Sequence, residues 1–429
     1  MSKPRVLLLA ENCNPEWPSL PIVGYKYARA LAQVADIHVL THIRNKPNIE
    51  KAGDLQGLVT FIDNEWIAAR MYRLSKFLRG GSEVAWSTNQ MMAYLPYLEF
   101  ERRAMKFFRA ELDRGEFDLV HRITPMSPTL PSMAPSRTRV PFVIGPLNGN
   151  LDWPRAFATE QKREREGLRR LRSLYKALPY ARSTFRRSAG ILAAFQHTID
   201  DLPQDVRDRV IPFPEIGIDP DVFNPGDRVP PFSGDGPFRC LLAGRLVPYK
   251  LAEAVVRAFV GSDILMQHRL HIVGTGPEEA RLREIVQSSS AEAQVLFEGG
   301  KSQGEVADFM RQSDAFVFPS IRELGAGVVI EAMACGTVCI VTDYGAPGNL
   351  VAGQRGVVIP MQKLEGLVTA NRAAMEACLA EPEHHAKMAE EAVSHAETFY
   401  TWEAKARYTS RIYDRVIKGQ PLSDLVDYR

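Results

Sequence analysis

A chain of 429 residues is long enough for two domains of ordinary size. Its 45% hydrophobic and 24% charged content is that of a folded globular protein, and a net charge of +2 argues neither for nor against an anionic partner. The five cysteines (Cys13, Cys240, Cys335, Cys339, Cys378) form no CxxC pair and read as small core residues in a reducing compartment, and no apolar run approaches a membrane span.

Arg5 to Ala10 is the first predicted strand, too short for a signal-peptide core. A polar, Pro-rich loop follows from Glu11 to Pro21, then a helix from Tyr25 to Val34 and a strand from Ile37 to Thr41. The loop is not G-x-G-x-x-G, so a dinucleotide-binding start is not expected. Residues 60–115 are predicted as mostly helical, with Trp86, Tyr97 and Phe100 among aromatics that read as core. Phe117 to Arg122 reads as a strand ending at His121, where parallel sheets place ligand-binding groups; a lone His is equally compatible with packing. Val140 to Ile144 is the next strand and leads into the turn Gly145-Pro146-Leu147-Asn148-Gly149-Asn150.

Residues 155–187 hold 11 Lys and Arg against 3 Glu, a net of +8. Leu168, Leu171, Leu174, Tyr175 and Leu178 recur at helical spacing, so the part before Pro179 reads as a basic amphipathic helix. Two readings stand: a solvated helix packed by its apolar stripe, or a docking element for anionic membrane lipid or a lipid-diphosphate acceptor. No nucleic-acid-binding motif accompanies the charge, so no nucleic-acid partner is expected. Ala189 to Ala194 and Arg209 to Ile211 read as the last strands of the first domain. Residues 219–237 hold five prolines and three glycines and read as the interdomain linker.

The second domain opens on the strand Phe238 to Ala243, followed by Gly244-Arg245 and, five residues on, Lys250. An Arg fork and a Lys point charge beyond a buried strand suit a diphosphate. Arg269 to Val273 is a strand running into Gly274-Thr275-Gly276, and Val295 to Phe297 is another, before a helix from Glu305 to Ser313. The run Ala315 to Phe318 is a buried strand; Glu323, Gly325, Ala326 and Gly327 follow in a loop, then a helix from Val328 to Cys335 and a strand from Val338 to Val341. Glycines at a helix start favour close approach of an anion, usually phosphate. Glu331 lies in that otherwise apolar helix. It either pairs at the surface or meets a ligand donor, and Glu323 eight residues earlier favours the ligand. Gly356 to Pro360 is the last strand, and the tail from Met375 to Lys418 is helical.

Glu323-x7-Glu331 followed by Ala332-Met333-Ala334-x-Gly336 resembles the signature of the large retaining glycosyltransferase family 4. Gly244-Arg245-x4-Lys250 resembles its Gly-Arg-x4-Lys motif, and the turn at 145–150 resembles its Gly-Pro-x-Gly-Gly loop. Two departures are visible: Gly325 and Ala326 stand where a Phe-Gly pair is commoner, and Asn349 stands near the end of the later glycine turn where an acid is frequent.

The resemblance implies an α/β, GT-B fold: two Rossmann-like domains facing each other across a cleft, with a C-terminal helix crossing back to the first. On that basis residues 1–220 and about 402–420 form the acceptor-side domain, 221–237 the linker, and 238–400 the nucleotide-sugar domain. It implies a retaining glycosyltransferase moving a sugar from a nucleotide-diphosphate donor to a glycan or lipid-linked acceptor in polysaccharide or glycoconjugate biosynthesis. Arg245, Lys250 and the Gly325–Gly327 loop would hold the diphosphate, with Gly274 and Gly276 near the nucleotide. Glu331 would bind the ribose, and Glu323, with His121, would face the sugar. Gly24, Asn148 and Gly149 would face the acceptor. Asp219-Pro220-Asp221 matches the D-x-D metal pattern of another glycosyltransferase fold but falls in the linker. No metal or other cofactor is expected, and the cytoplasm, or the inner face of its membrane, is the expected location. The alternatives are a GT-B nucleotide-sugar epimerase or phosphorylase, or a non-catalytic partner subunit.

Overall fold

The computed structural model describes residues 3–78, 86–158, 175–227, 231–232 and 236–425. The core of the basic segment, 159–174, lies outside these, as do 228–230 and 233–235 of the expected linker. The chain forms two compact units. Unit 1 takes its described residues from Met1–Asn150, Glu164–Gly217 and Trp402–Tyr428; unit 2 takes its own from Leu151–Arg163 and Ile218–Thr401.

Unit 1 is built on seven strands among the described residues: β1 (Arg5–Ala10), β2 (Asp36–His42), β3 (Val59–Ile62), β4 (Leu119–Thr124), β5 (Phe142–Leu147), β6 (Gly190–Ala193) and β7 (Val210–Pro212). Their order is β3-β2-β1-β4-β5-β6-β7, and every neighbouring pair is parallel. The central strands are buried along nearly their whole length, as strands covered on both faces must be.

Unit 2 repeats the design with β8 (Arg239–Ala243), β9 (Arg269–Val273), β10 (Val295–Gly299), β11 (Ala315–Phe318), β12 (Val338–Asp343) and β13 (Val357–Pro360), in the order β10-β9-β8-β11-β12-β13. This sheet is parallel throughout as well.

Several boundaries differ from the sequence reading. The first helix runs Leu20–Val34, because Pro21 sits in its first turn, where a missing N–H costs nothing. The expected helical stretch after residue 60 is preceded by the short edge strand β3. β4 continues to Thr124, paired with Ala10, so His121 lies inside the strand and not at its end. The helical tail is three helices, Leu364–Ala380, Pro382–Phe399 and Trp402–Ile417.

The last of these belongs to unit 1, as expected of a helix that returns to the first domain. Its buried face carries Trp402, Tyr408, Ile412, Tyr413 and Val416. Burying a side chain of this size contributes about 1.5–3 kcal/mol. Polar contacts set its register: Tyr27 and Thr409 share a hydroxyl hydrogen bond of 2.6 Å, and the Lys405 ammonium donates to the Pro214 carbonyl while lying 4.1 Å over the Phe213 ring.

His121 belongs to the same network. Its Nε2 lies 2.8 Å from the Gly145 carbonyl and its Nδ1 2.6 Å from the Tyr413 hydroxyl. A carbonyl only accepts, so Nε2 carries the proton and Nδ1 accepts from Tyr413. The ring is fully buried and neutral; burial lowers its pKa from 6.5 to about 3. The unfolded chain therefore binds a proton near pH 6.5 that the folded chain refuses, and stability falls as the pH drops below that value. Between pH 7.5 and 5.0 the protein should lose about 2 kcal/mol more stability than its His121→Gln variant, which keeps a donor and an acceptor but does not titrate. Parallel urea-unfolding series at the two pH values measure the difference, and equal losses would refute the assignment.

Candidate active site

The residues singled out in unit 2 all follow the carboxyl ends of four strands that are neighbours in the sheet, β9, β8, β11 and β12. In open parallel sheets this edge is where ligands bind. The loops are stitched to one another by backbone hydrogen bonds: Leu246 N–H to the Thr275 carbonyl at 2.9 Å, Ile321 N–H to Tyr249 at 2.9 Å, and Ala346 N–H to Glu323 at 3.0 Å. Gly274 has φ +135°, and a Cβ there would sit 2.0 Å from the Gly244 carbonyl oxygen, so the loops after β8 and β9 touch through backbone alone.

Lys250 and Glu323 meet at the centre of this edge. Nζ lies 2.5 Å from Glu323 Oε1, and the two side chains are only 17% and 13% exposed. The ammonium also lies 4.5 Å over the Phe318 ring, with Tyr249 on another side at 5.7 Å. Glu323 accepts a second hydrogen bond from Ser320 Oγ at 2.9 Å, and Ser320 Oγ also lies 3.2 Å from the Tyr249 carbonyl. A carboxylate with little access to water is thereby held in one orientation by a cation and a hydroxyl. Arg245 is exposed, and its Nη2 donates to the Tyr249 hydroxyl at 3.0 Å. Ser320 and Tyr249 carry this arrangement and were not singled out by motif. The available signal was position, since Ser320 comes directly after Pro319 at the end of a buried strand.

The glycine loop leads into the helix Gly327–Ala334, in whose first turn the Val329 N–H donates to the Ala326 carbonyl at 2.9 Å, while the N–H groups before it precede any carbonyl of the helix. Its N-cap is Ala326, at φ 49° and ψ 44°, in the left-handed region. A residue with a Cβ is strained there. Glu331 is half-buried in the helix that follows, and Asn349 is exposed, its side-chain amide donating to the Gly345 carbonyl at 3.1 Å.

The unit 1 residues are placed as follows. Gly24 lies in the first helix, where a Cβ would come 2.3 Å from the Asn12 carbonyl oxygen. Asn148 and Gly149 follow β5; Asn148 donates to Glu215 Oε1 at 2.6 Å, and Gly149 N–H donates to Thr198 Oγ1 at 3.1 Å. His121 is 0% exposed and engaged through both ring nitrogens, so it presents no free ring atom at the strand edge.

Residues 227–395 match the family model for glycosyl transferases group 1. These residues lie within unit 2. The chain is similar to a D-inositol 3-phosphate glycosyltransferase of Rhodococcus opacus, 32% identical over 173 residues, covering 38% of this chain and 37% of that protein. An N-acetyl-alpha-D-glucosaminyl L-malate synthase of Bacillus anthracis is 32% identical over 167 residues, covering 38% of this chain and 42% of that one. The chain thus aligns with less than half the length of either relative.

Among solved structures, a glycosyltransferase from Rickettsia africae covers 98% of this chain and 100% of its own at TM-score 0.62 and 13% identity. Anabaena HepE in complex with UDP covers 96% of this chain and 99% of its own at TM-score 0.61 and 14% identity. These likenesses extend the fold beyond the group 1 region to the whole chain, which is GT-B. An Ala326→Gly variant should gain about 1 kcal/mol, because Gly adopts the left-handed cap without strain. A higher denaturation midpoint would show it, and an unchanged or lower one would contradict the strain.

Proposed function

We propose that the chain is a retaining glycosyltransferase that uses a nucleoside-diphosphate sugar as donor. The observation that carries this reading is the Lys250–Glu323 pair, placed beside Arg245 and the glycine-loop helix at one sheet edge. Arg245 and Lys250 clamp the diphosphate and stabilise the charge that grows on it as it leaves. The N–H groups at Gly325, Ala326 and Gly327 take the remaining phosphate oxygens. Gly274 and Gly276 leave room for the nucleotide, Glu331 holds its ribose, and Glu323 orients the sugar. The donor-bound HepE structure of Anabaena supports a nucleotide sugar as the ligand class by fold likeness.

The acceptor enters beside the carboxyl ends of the unit 1 strands, near Gly24, Asn148 and Gly149. His121 acts there through Gly145, holding the turn that carries Asn148. Transfer proceeds by front-face displacement, in which the departing phosphate takes the acceptor hydroxyl proton. Cationic side chains stand in for a metal, so the reaction needs none. The acceptor is a glycan or a lipid-linked sugar, and the charge of residues 155–187 supports peripheral contact with anionic lipid from the cytoplasmic side. Among the described residues no helix is long and apolar enough to cross a membrane.

Thermal-shift titration with UDP, GDP and ADP tests the donor site, since a ligand bound only by the folded chain raises its stability. One diphosphate should stabilise the protein, equally with EDTA present, and Arg245→Ala or Lys250→Ala should weaken its binding by about tenfold or more. No shift with any diphosphate would favour a non-catalytic partner subunit, unchanged affinity in the variants would remove the clamp, and a shift abolished by EDTA and restored by a divalent ion would overturn metal independence. Liposome flotation tests the basic segment: binding to anionic vesicles should vanish when Arg169, Arg170 and Arg172 are neutralised, and undiminished binding would refute it.

A further inference from the structure

The chain visits unit 2 once before its main passage through it. Among the described residues, 151–158 belong to unit 2, although 175–217 belong to unit 1. The first part of this arm is anchored by large side chains. Trp153 and Phe157 are buried in the core of unit 2 with Leu246, Leu251 and Ile321.

The arm's backbone is also held at two places. Arg322 donates to the Leu151 carbonyl through Nε at 3.4 Å and Nη2 at 3.3 Å, and its guanidinium lies 5.4 Å over the Trp153 ring. The Tyr344 hydroxyl donates to the Asp152 carbonyl at 3.1 Å. Between these two contacts Leu151 packs on Gly345, so closely that a Cβ at Gly345 would lie 2.6 Å from Leu151 Cδ2 and 2.1 Å from the Glu323 carbonyl oxygen.

The sequence positions of these partners matter. Arg322 precedes Glu323, and Tyr344 precedes Gly345. Glu323 and Gly345 are themselves joined as an isolated parallel bridge. The arm therefore grips both chains of the bridge that carries Glu323. One further group stands out. The Trp153 indole nitrogen is buried and has no hydrogen-bond partner among the described residues, and the side chain as a whole is 8% exposed. A buried N–H without an acceptor is costly, and a ligand oxygen or an ordered water would satisfy it.

We propose that the arm Leu151–Phe157 is a specificity element for the sugar half of the donor. It positions Glu323 through Arg322 and Tyr344, and the Trp153 N–H donates to a sugar hydroxyl. This rests on the donor-site reading above. The diphosphate half is held by Arg245, Lys250 and the glycine loop, and of these Lys250 is paired with Glu323.

The test compares a nucleoside diphosphate with its sugar conjugate on the full chain. Calorimetric titrations use UDP, GDP and ADP and the glucose conjugate of each, with wild type, Trp153→Phe, and the double variant Arg322→Gln with Tyr344→Phe. In the variants, affinity for the bare diphosphate should stay within about twofold of wild type, whereas affinity for the conjugate should fall about tenfold, the worth of one hydrogen bond left unmade. A structural arm with no part in sugar recognition would weaken both ligands equally or neither, and either result overturns the proposal. Trp153→Phe keeps an aromatic ring in the core, so it decides the matter if the double variant fails to fold. Wild type that binds no diphosphate would remove the donor-site reading and this inference with it, whereas normal diphosphate binding with unaltered sugar selectivity in the variants removes the inference alone.

Discussion

Parallel pairing is the constraint on which both units depend. Every strand must be re-entered from the same end, so each connection that follows a carboxyl terminus emerges along one edge. In unit 2 that edge gathers the loops after β9, β8, β11 and β12, which are far apart in sequence and adjacent in the sheet. Arg245, Lys250, Gly274, Ser320, Glu323 and Gly345 come together for this reason. In unit 1 the same rule brings the loops after β1, β4 and β5 to one side, with Asn148 held by Glu215.

The Lys250–Glu323 pair gives that edge its chemical character. A carboxylate and an ammonium with little access to water each lose hydration, and the loss is offset only when geometry and further hydrogen bonds are good. Here Ser320 supplies the further hydrogen bond and the Phe318 ring supplies a face for the cation. The strained cap at Ala326 is local to the same loop. It shows a backbone conformation held by its surroundings against the preference of its own residue.

Much of this was legible in the order of residues. Apolar runs such as Ala315 to Phe318 and Val338 to Val341 have no alternative to a buried strand, and Gly-rich turns after them mark where the chain leaves the sheet. The helical character of the tail was also readable, though its division into three helices, the last at Trp402–Ile417, was not. His121 shows where local reading fails. Strand ends depend on how far the neighbour continues to pair, and β1 carries β4 on to Thr124. Its partners Tyr413 and Gly145 lie 292 and 24 residues away, beyond any local pattern.

By itself the sequence determined the alternation of buried strands and amphipathic helices, the two-domain scale, and the residue types at the strand ends. Those follow from hydrophobic periodicity and from the backbone limits of Gly and Pro, which act over a few residues. Only the tertiary structure decided that Lys250 meets Glu323, that Ser320 donates to that carboxylate, that His121 is a neutral core residue, and that the segment after Asn150 packs into unit 2. Those outcomes depend on desolvation and on contacts between distant segments, and neither exists until the sheets have formed and excluded water from the groups they bring together.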